Sequence, residues 1–590
     1  MQFTLQFKLK FLKWPLRAFN AFNDEKVSKM FVFSQTQSGQ PDLQPSTQVA
    51  MWPVGGYARV PEGAPSPDRR RRWALLGLVA ATCGVAVGRT LASAPSPAAF
   101  VEATATDDIA AGTAGDDDWP YEEMYTPNLD GVPVNVILSA PTPTSIIASC
   151  WCSTGSNVTV TYWEAGKPAT AKAIGEPCGD QAAMRLTLYH LTPGTKYAYV
   201  ASIRGGADVA TTAEHGFSTP GAPTTRFTVS ADAHLYSSEA HRAVTEAMAS
   251  SVSARAPDFH VQVGCAWMLD QFVEYEANYS DVFDFIRGTR YWFGGIGSDA
   301  ALYHVQGPHA GENFMDYHTC RVGRNLSAPA LAMRSQWSAI ARRSAYPAPE
   351  ANAFYSGSDV EDSYLPCVFD GESMALSYPA VEVGNRRSYY AFETGGVLVI
   401  ALDTWWYYDV NQLNGTNWMF TLGRKQYEWL QETLSAKNAS RTVVMTHNLV
   451  GGYAKTFDYS TQRGGARAAP MFEWGGRGHS GNLEFDRFRP GWTAPIHDLL
   501  VAHGVDAVVH GHDHVTAVEF VDGVMYLELP WMLGGGATDI EIEAYLGTDK
   551  AYWDRERPSY ASFESSEDGG LRLSIVDIFT DEEAYGHTFQ

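Results

Sequence analysis

Through the last two-thirds of the chain, apolar positions gather into short runs rich in Val, Ile, Phe and Thr, several of which end in a residue able to carry chemistry. Arg226–Ser230 (RFTVS), Asp258–Val263 (DFHVQV), Val397–Asp403 (VLVIALD), Arg441–Met445 (RTVVM) and the run ending at Val509 read as strands, and VLVIALD as one covered on both faces. Helical spacing of apolar positions appears between them, at Ser237–Ala254 and Arg424–Ala436. Alternating strands and helices predict a layered α/β domain over 224–590. The stretch 133–221 has a different pattern. It contains only short strands, at Val134–Leu138, Ile146–Trp151, Val158–Trp163, Met184–Tyr189 and Lys196–Ile203, divided by turn residues such as Thr192, Pro193 and Gly194. A small all-β sandwich is the expectation there.

The start of the chain has neither pattern. Residues 1–68 show no steady period and turn rich in Ser, Gln and Pro, which predicts disorder; Met1 and Met51 are both candidate starts. Arg69–Arg72 then precede the apolar run Trp73–Gly88, a positive flank before a hydrophobic segment. The run is shorter than the roughly 20 residues of a spanning helix, but it reaches Ala94 if Arg89 snorkels. The segment 69–94 is therefore a signal peptide or a type II signal anchor. Ala92, Ser93 and Ala94 resemble a cleavage site, and Pro95 directly after it favours the anchor. Residues 95–132, rich in Ala, Thr, Asp and Pro, read as a stalk. This order predicts a membrane-anchored or secreted protein of the secretory pathway, its main part lumenal or extracellular.

Composition agrees. A length of 590 residues exceeds one core, and 45% hydrophobic and 13% aromatic residues supply ample interior. The net charge of −23 argues against nucleic acid as a partner but not against small phosphate esters, whose charge bound metal would meet. Sequons at Asn157, Asn278, Asn325, Asn414 and Asn438 suit glycosylated surface loops. Seven cysteines, at Cys83, Cys150, Cys152, Cys178, Cys265, Cys320 and Cys367, leave disulfide pairing open, and the oligomeric state is open too.

The strand ends carry the candidate chemistry. Val509 leads into His510, Gly511, His512, Asp513 and His514; RTVVM ends in Thr446 and His447; RFTVS ends in Ala231, Asp232, Ala233 and His234. Imidazole and carboxylate are common ligands of transition metals, and in α/β sheets active-site loops follow the strands. For Asp232 a helix N-cap is the competing reading.

This order of motifs resembles the calcineurin-like metallophosphoesterases, including purple acid phosphatases and alkaline phosphatases of the D type. The resemblance covers roughly Pro133–Glu528. It includes a long block after His447: His447–Gly452 (HNLVGG), Arg463–Gly465 (RGG), Phe472–Gly476 (FEWGG), Arg489–Trp492 (RPGW), Pro495–His497 (PIH), the GHDH box and Asp522–Tyr526 (DGVMY). It implies a four-layer α/β sandwich preceded by a fibronectin type III-like domain, whose tyrosine corner Leu191–Tyr199 (LTPGTKYAY) resembles. It also implies one or two divalent ions (zinc, manganese, iron or calcium), with Asp232, His234 and His514 on one and His447 and His512 on the other. The implied activity is hydrolysis of a phosphate ester.

Two motifs depart from the family. Where it has Gly-Asp with the bridging carboxylate, this chain has Gly264 and Cys265; where it has a strand leading into Gly-Asn-His-Asp, the strand is expected at Tyr291–Ile296 and is followed by Gly297, Ser298, Asp299 and Ala300. Cys265 is a thiolate ligand, a disulfide partner or an inert thiol. Asp299 is a candidate ligand or proton donor, and His447 belongs to the candidate catalytic residues through its ligand role. Met268 stands where purple acid phosphatases place the iron-binding tyrosine, so no ferric-tyrosinate centre is expected. Arg463 either meets substrate phosphate or forms a salt bridge, and Glu473 and Trp474 are expected to pack and support. Two readings follow: a metal-dependent phosphatase or phosphodiesterase, and a pseudophosphatase that binds metal, ligand or partner without turnover.

Overall fold

The computed structural model describes residues 135–590 apart from 153–154, 179–182, 207, 236–238, 270–278, 313–327, 360–361, 365–366, 370–373, 377–380, 409–415 and 454–461. The segments expected at 1–68, 69–94 and 95–132 lie outside the described residues, as do Cys83, Cys320, Asn278, Asn325 and Asn414. No helix among the described residues is long and apolar enough to cross a membrane.

Residues 135–218 form two antiparallel sheets. One contains Asn135–Thr142, Ser145–Trp151 and Met184–Tyr189; the other contains Lys172–Pro177, Asn157–Glu164 and Lys196–Gly205, along whose far edge Asp208–Thr211 and His215–Ser218 pair in succession. Strict alternation in Asn157–Glu164 buries Val158, Val160 and Tyr162 between the sheets. The Thr192 N–H donates to the Tyr197 hydroxyl at 2.9 Å, closing the turn within Leu191–Tyr199. Cys152 and Cys178 form a disulfide, and Cys150 is a buried free thiol.

From Arg226 the chain builds an α/β unit. Strands β1 (Arg226–Ala231), β2 (Phe259–Val263) and β3 (Ala301–Val305) are parallel and open the first sheet. Strands β4 (Ser356–Gly357), β5 (Tyr390–Thr394), β6 (Val397–Ala401), β7 (Arg441–Met445), β8 (Ala507–His510), β9 (Thr516–Val521), β10 (Val524–Glu528) and β11 (Lys550–Asp554) make the second, in the order β4-β5-β6-β7-β8-β10-β9-β11. Its centre, β6-β7-β8-β10, is parallel. Strands β12 (Ser559–Ser565), β13 (Leu571–Asp577) and β14 (Glu583–Phe589) return to complete the first sheet as β3-β2-β1-β12-β13-β14.

Side chains of alternate sign along each strand explain the layering. In β6, Val397, Val399 and Ala401 meet Phe227 and Val229 of β1 and Val261 of β2 in the core between the sheets, while Leu398 and Ile400 face away from it. That outer face is covered by the helix Arg424–Ala436 through Tyr427, Leu430 and Leu434, and by Ile496–Ala502. On the first sheet's outer side lie α1 (Glu239–Ala254), α2 (Tyr279–Gly297) and α3 (Ala328–Ala345), packed through Val244, Met248, Phe285, Ile286 and Ala341. The result is helices, sheet, sheet, helices: the four-layer α/β arrangement with a small β-sandwich in front.

One sequence expectation fails here. Tyr291–Ile296 is not a strand but the last turns of α2, and the third strand of the sheet begins only at Ala301. Its aromatic and apolar residues, Tyr291, Trp292, Phe293 and Ile296, pack a helix into the outer layer.

The sandwich is held to the α/β unit by buried polar contacts. Arg290 of α2, fully buried, donates to Asn135 Oδ1 (2.9 Å), Ser149 Oγ (3.0 Å), the Ser149 carbonyl (2.7 Å) and the Ala345 carbonyl of α3. Arg290→Met strips these buried acceptors of their donors and should lower the unfolding free energy by about 3 kcal/mol in denaturant titration.

Candidate functional site

Five loops at the carboxyl ends of parallel strands meet where the two sheets adjoin. Asp232 and His234 follow β1, Cys265 follows β2, His309 follows β3, His447 follows β7, and His512 and His514 follow β8. The registers explain the convergence: Ala231, Val263 and Val305 end side by side in one sheet, Met445 and Val509 in the other. The next residues of each strand therefore project into one space.

Asp232 is its centre. The side chain is fully buried; Oδ2 accepts the His512 backbone N–H at 2.7 Å, and Oδ1 lies 3.2 Å from His234 Nε2, 3.9 Å from His447 Nε2 and 4.0 Å from His514 Nε2. It is not a helix cap, since α1 begins seven residues later at Glu239. Cys265 Sγ stands 3.2 Å from His447 Nε2. His309 sets its ring edge-on to His234 at 5.1 Å, and His512 faces His447 at 4.9 Å.

Three donor sets result, each with ligand atoms within 4.8 Å of one another: Asp232, His234 and His514; Asp232, Cys265 and His447; His234, Cys265 and His309. His512 stands beside them rather than in them. Its Nε2 and the Nδ1 of His447 are buried without a hydrogen-bond partner. Burial drives His447 and His514 down to about 3, and His512 well below its ordinary value, so these imidazoles present lone pairs rather than positive charge at neutral pH.

The backbone is strained to aim these groups. Among the described residues, twelve non-glycine residues have positive φ, and five of them are Asp232 (48°), His234 (45°), Cys265 (36°), His512 (87°) and His514 (57°). Such conformations cost free energy and persist where the surroundings enforce them. Space is equally tight: a Cβ on Gly264 would lie 1.8 Å from His447 Nδ1, and one on Gly511 would lie 2.2 Å from Asp232 Oδ2.

The surrounding shell orients the imidazoles. His514 Nδ1 is 3.5 Å from Glu541 Oε1, and that carboxylate takes Arg463 Nη1 at 2.9 Å. Arg463 also reaches Asp513 Oδ1 (3.2 Å) and the His512 carbonyl (2.9 Å), so it braces the GHDH loop instead of reaching toward a substrate phosphate. Glu473 accepts from the Leu422 N–H at 2.7 Å and pairs with Arg489; Trp474 donates to the Tyr526 hydroxyl. These contacts account for the RGG, FEWGG and RPGW segments as supports. Trp405 stands 5.5 Å from His512 and Trp531 6.0 Å from His514, ring centroid to ring centroid. Trp406 lies instead beneath the Arg386 guanidinium.

Asp299 is not brought to this cluster. It precedes Ala301, which pairs with Phe259 at the far end of β2, a strand length of roughly 16 Å from the loops that carry the donors. There its Oδ1 accepts the Gly216 N–H at 3.0 Å and its Oδ2 meets His215 Nδ1 at 3.0 Å, docking the sandwich. Burial pushes its carboxyl up, but these hydrogen bonds outweigh that and hold it below the usual range, the reverse of what a proton donor needs. His309 is the residue that sequence reasoning missed. The signal was present: Ala301–Val305 is one more apolar run, and Gln306, Gly307, Pro308 and His309 follow it as the other ligand loops follow theirs.

No family model matches the chain, and no curated protein matches it. Solved structures with related shape include a purple acid phosphatase, PPD1, from yellow lupin (Lupinus luteus) seeds, at 11% identity over 77% of this chain and 73% of that one, TM-score 0.48. PhoD gives 12% identity over 77% and 88%, TM-score 0.48, and GAP50, the anchor in the inner membrane complex of Plasmodium, 11% over 62% and 89%, TM-score 0.34. At such identities and scores, function has to be argued from the side chains of the cluster.

Two outcomes follow from this geometry. In the metal-free protein, imidazoles neutral down to about pH 3 when folded take up protons near 6.5 once unfolded, so stability falls as pH drops through that window. Denaturation midpoints measured from pH 7 to 4 should decline steadily, and a bound divalent ion should raise them across this range. Asp299→Asn should leave metal stoichiometry, read by elemental analysis, unchanged while lowering the melting temperature.

Proposed function

We propose that this chain is a metal-dependent hydrolase of phosphate esters. The observation that carries the reading is a fully buried carboxylate, Asp232, ringed by histidine nitrogens and a thiol from separate loops, with no lysine or arginine paired to it among the described residues. A buried negative charge needs a compensating cation, and His447 and His514, whose burial disfavours their charged form, supply none. The donors fit a divalent ion in type, number and convergence. Asp232, His234 and His514 would hold one ion, and His447, with His512 and Cys265 at its side, would serve the adjoining position.

A divalent ion here supplies Lewis-acid polarisation of a phosphoryl oxygen and a nucleophile that ionises near neutral pH. The chain's own residues do the rest. Asp232 orders the cluster through its bond to the His512 amide, and Glu541 with Arg463 fixes the His514 ring. Trp405, buried, packs its ring against His512. His309, half-buried at the edge of the cluster, is positioned to donate a proton to the departing ester oxygen, the part for which sequence alone had suggested Asp299.

The setting proposed is the secretory pathway, with the membrane or signal segment at 69–94. The Cys152–Cys178 disulfide supports an oxidising compartment, and Asn157 and Asn438, the described sequons, are both exposed.

Chromogenic phosphate mono- and diesters should be turned over by the zinc-, manganese- or iron-loaded protein and not after chelation. His512→Ala should reduce that turnover by more than about 100-fold. Binding of metal without turnover of any ester would leave the pseudophosphatase reading, which the absent bridging carboxylate favours; unchanged turnover in His512→Ala would remove the site assignment.

A further inference from the structure

Among the described residues, two buried cysteines outside the disulfide, Cys150 and Cys265, sit in opposite surroundings. Cys150 sits in the apolar core of the sandwich, and burial pushes its thiol up to about 12, as suits an inert packing group. Cys265 instead points into polar company. Its Sγ is 3.2 Å from His447 Nε2 and falls within two of the three donor sets, one with Asp232 and His447, the other with His234 and His309. Like Asp232 and His234, it is therefore shared between two donor sets.

Considerable structure is devoted to holding it there. Cys265 has φ of 36°, Gly264 before it has φ of 62°, and the Gly264 N–H and carbonyl are pinned by the Val305 carbonyl (3.0 Å) and Gln262 Nε2 (3.2 Å). Gln262 is fixed in turn by Ser230, and Ser230 by His260, a buried polar ladder across β1 and β2. Opposite the thiol, Gly307 has no room for a side chain: a Cβ there would lie 3.0 Å from Sγ.

We propose, resting on the metal-site reading above, that Cys265 is a metal-ligating thiolate, and that the centre takes thiophilic ions such as zinc or cobalt in preference to calcium or magnesium. Donor chemistry supports both halves. Calcium requires six to eight oxygen ligands and magnesium an oxygen octahedron. The cluster's donor sets offer one carboxylate, imidazole nitrogens and a thiol sulfur, and Asp232 Oδ2 is already engaged by the His512 amide. When the sulfur–metal bond forms, the thiol proton passes to solvent and His447 Nε2 turns its lone pair from the thiol to the ion. The thiolate restores the single negative charge that an aspartate at this position would have supplied, on a softer atom.

The test is cobalt substitution of the full chain. Metal-free protein titrated with Co(II) should develop ligand-field bands and a near-ultraviolet thiolate-to-cobalt charge-transfer band. Cys265→Ser should lose the charge-transfer band and weaken zinc binding ~10–100-fold, whereas Cys150→Ser should keep both. Excess calcium or magnesium should not displace cobalt. Ligand-field bands without charge transfer in the wild type, or a charge-transfer band surviving in Cys265→Ser, overturns the proposal and leaves the hydrolase reading standing. A charge-transfer band in a protein that turns over no ester supports the thiolate and overturns the hydrolase. Absence of cobalt binding overturns both.

Discussion

The constraint on which the site depends is the burial of the Asp232 carboxylate between two sheets that arise from different parts of the chain. Its Oδ2 accepts an N–H from the loop after β8 in the second sheet, while its own strand, β1, lies in the first. This hydrogen bond and the imidazoles on Oδ1 join loops more than two hundred residues apart in sequence. Because a charge removed from water is tolerated only with compensation, the region around it is lined with polar donor groups rather than apolar packing.

Strain and support follow from that. The turns after β1, β2 and β8 adopt left-handed backbone at residues other than glycine, and glycine appears where a side chain would enter the cluster, as at Gly264 and Gly511. Beyond the donors, carboxylates and arginines pair with one another instead of with solvent. Arg463, Asp513 and Glu541 brace the GHDH loop, and Glu312, Arg342, Arg386 and Asp403 form a second buried network under Trp406. Such pairs contribute less to net stability than to the single placement of the loops they hold, because desolvation offsets most of their attraction.

The sandwich takes part in the same architecture through polar contacts. Arg290, Tyr199 and Asp299 connect it to the outer helical layer and to the start of β3, at the end of the sheet opposite the donor loops. Its role is thereby separated from the chemistry by the length of a strand. The candidate donors Asp232, His234, His447 and His514 lie at the other end.

Sequence alone determined most of the elements and the candidate donors that follow them. Runs such as VLVIALD declare a strand buried on both faces because no polar residue interrupts them, RKQYEWLQETLSA declares a helix by its spacing, and Asp232, His234, His447, His512 and His514 were legible because each follows a strand. Tertiary structure decided what depends on neighbours distant in sequence. YWFGGI has the composition of a strand, yet it packs as helix because the outer layer offers α2 an apolar surface on the first sheet. That one displacement moved the third strand by several residues, took Asp299 out of the site and brought in His309. Likewise, the surroundings of Cys265 could not be read from the residue itself; the fold sets its sulfur 3.2 Å from His447 Nε2, on a loop of the other sheet.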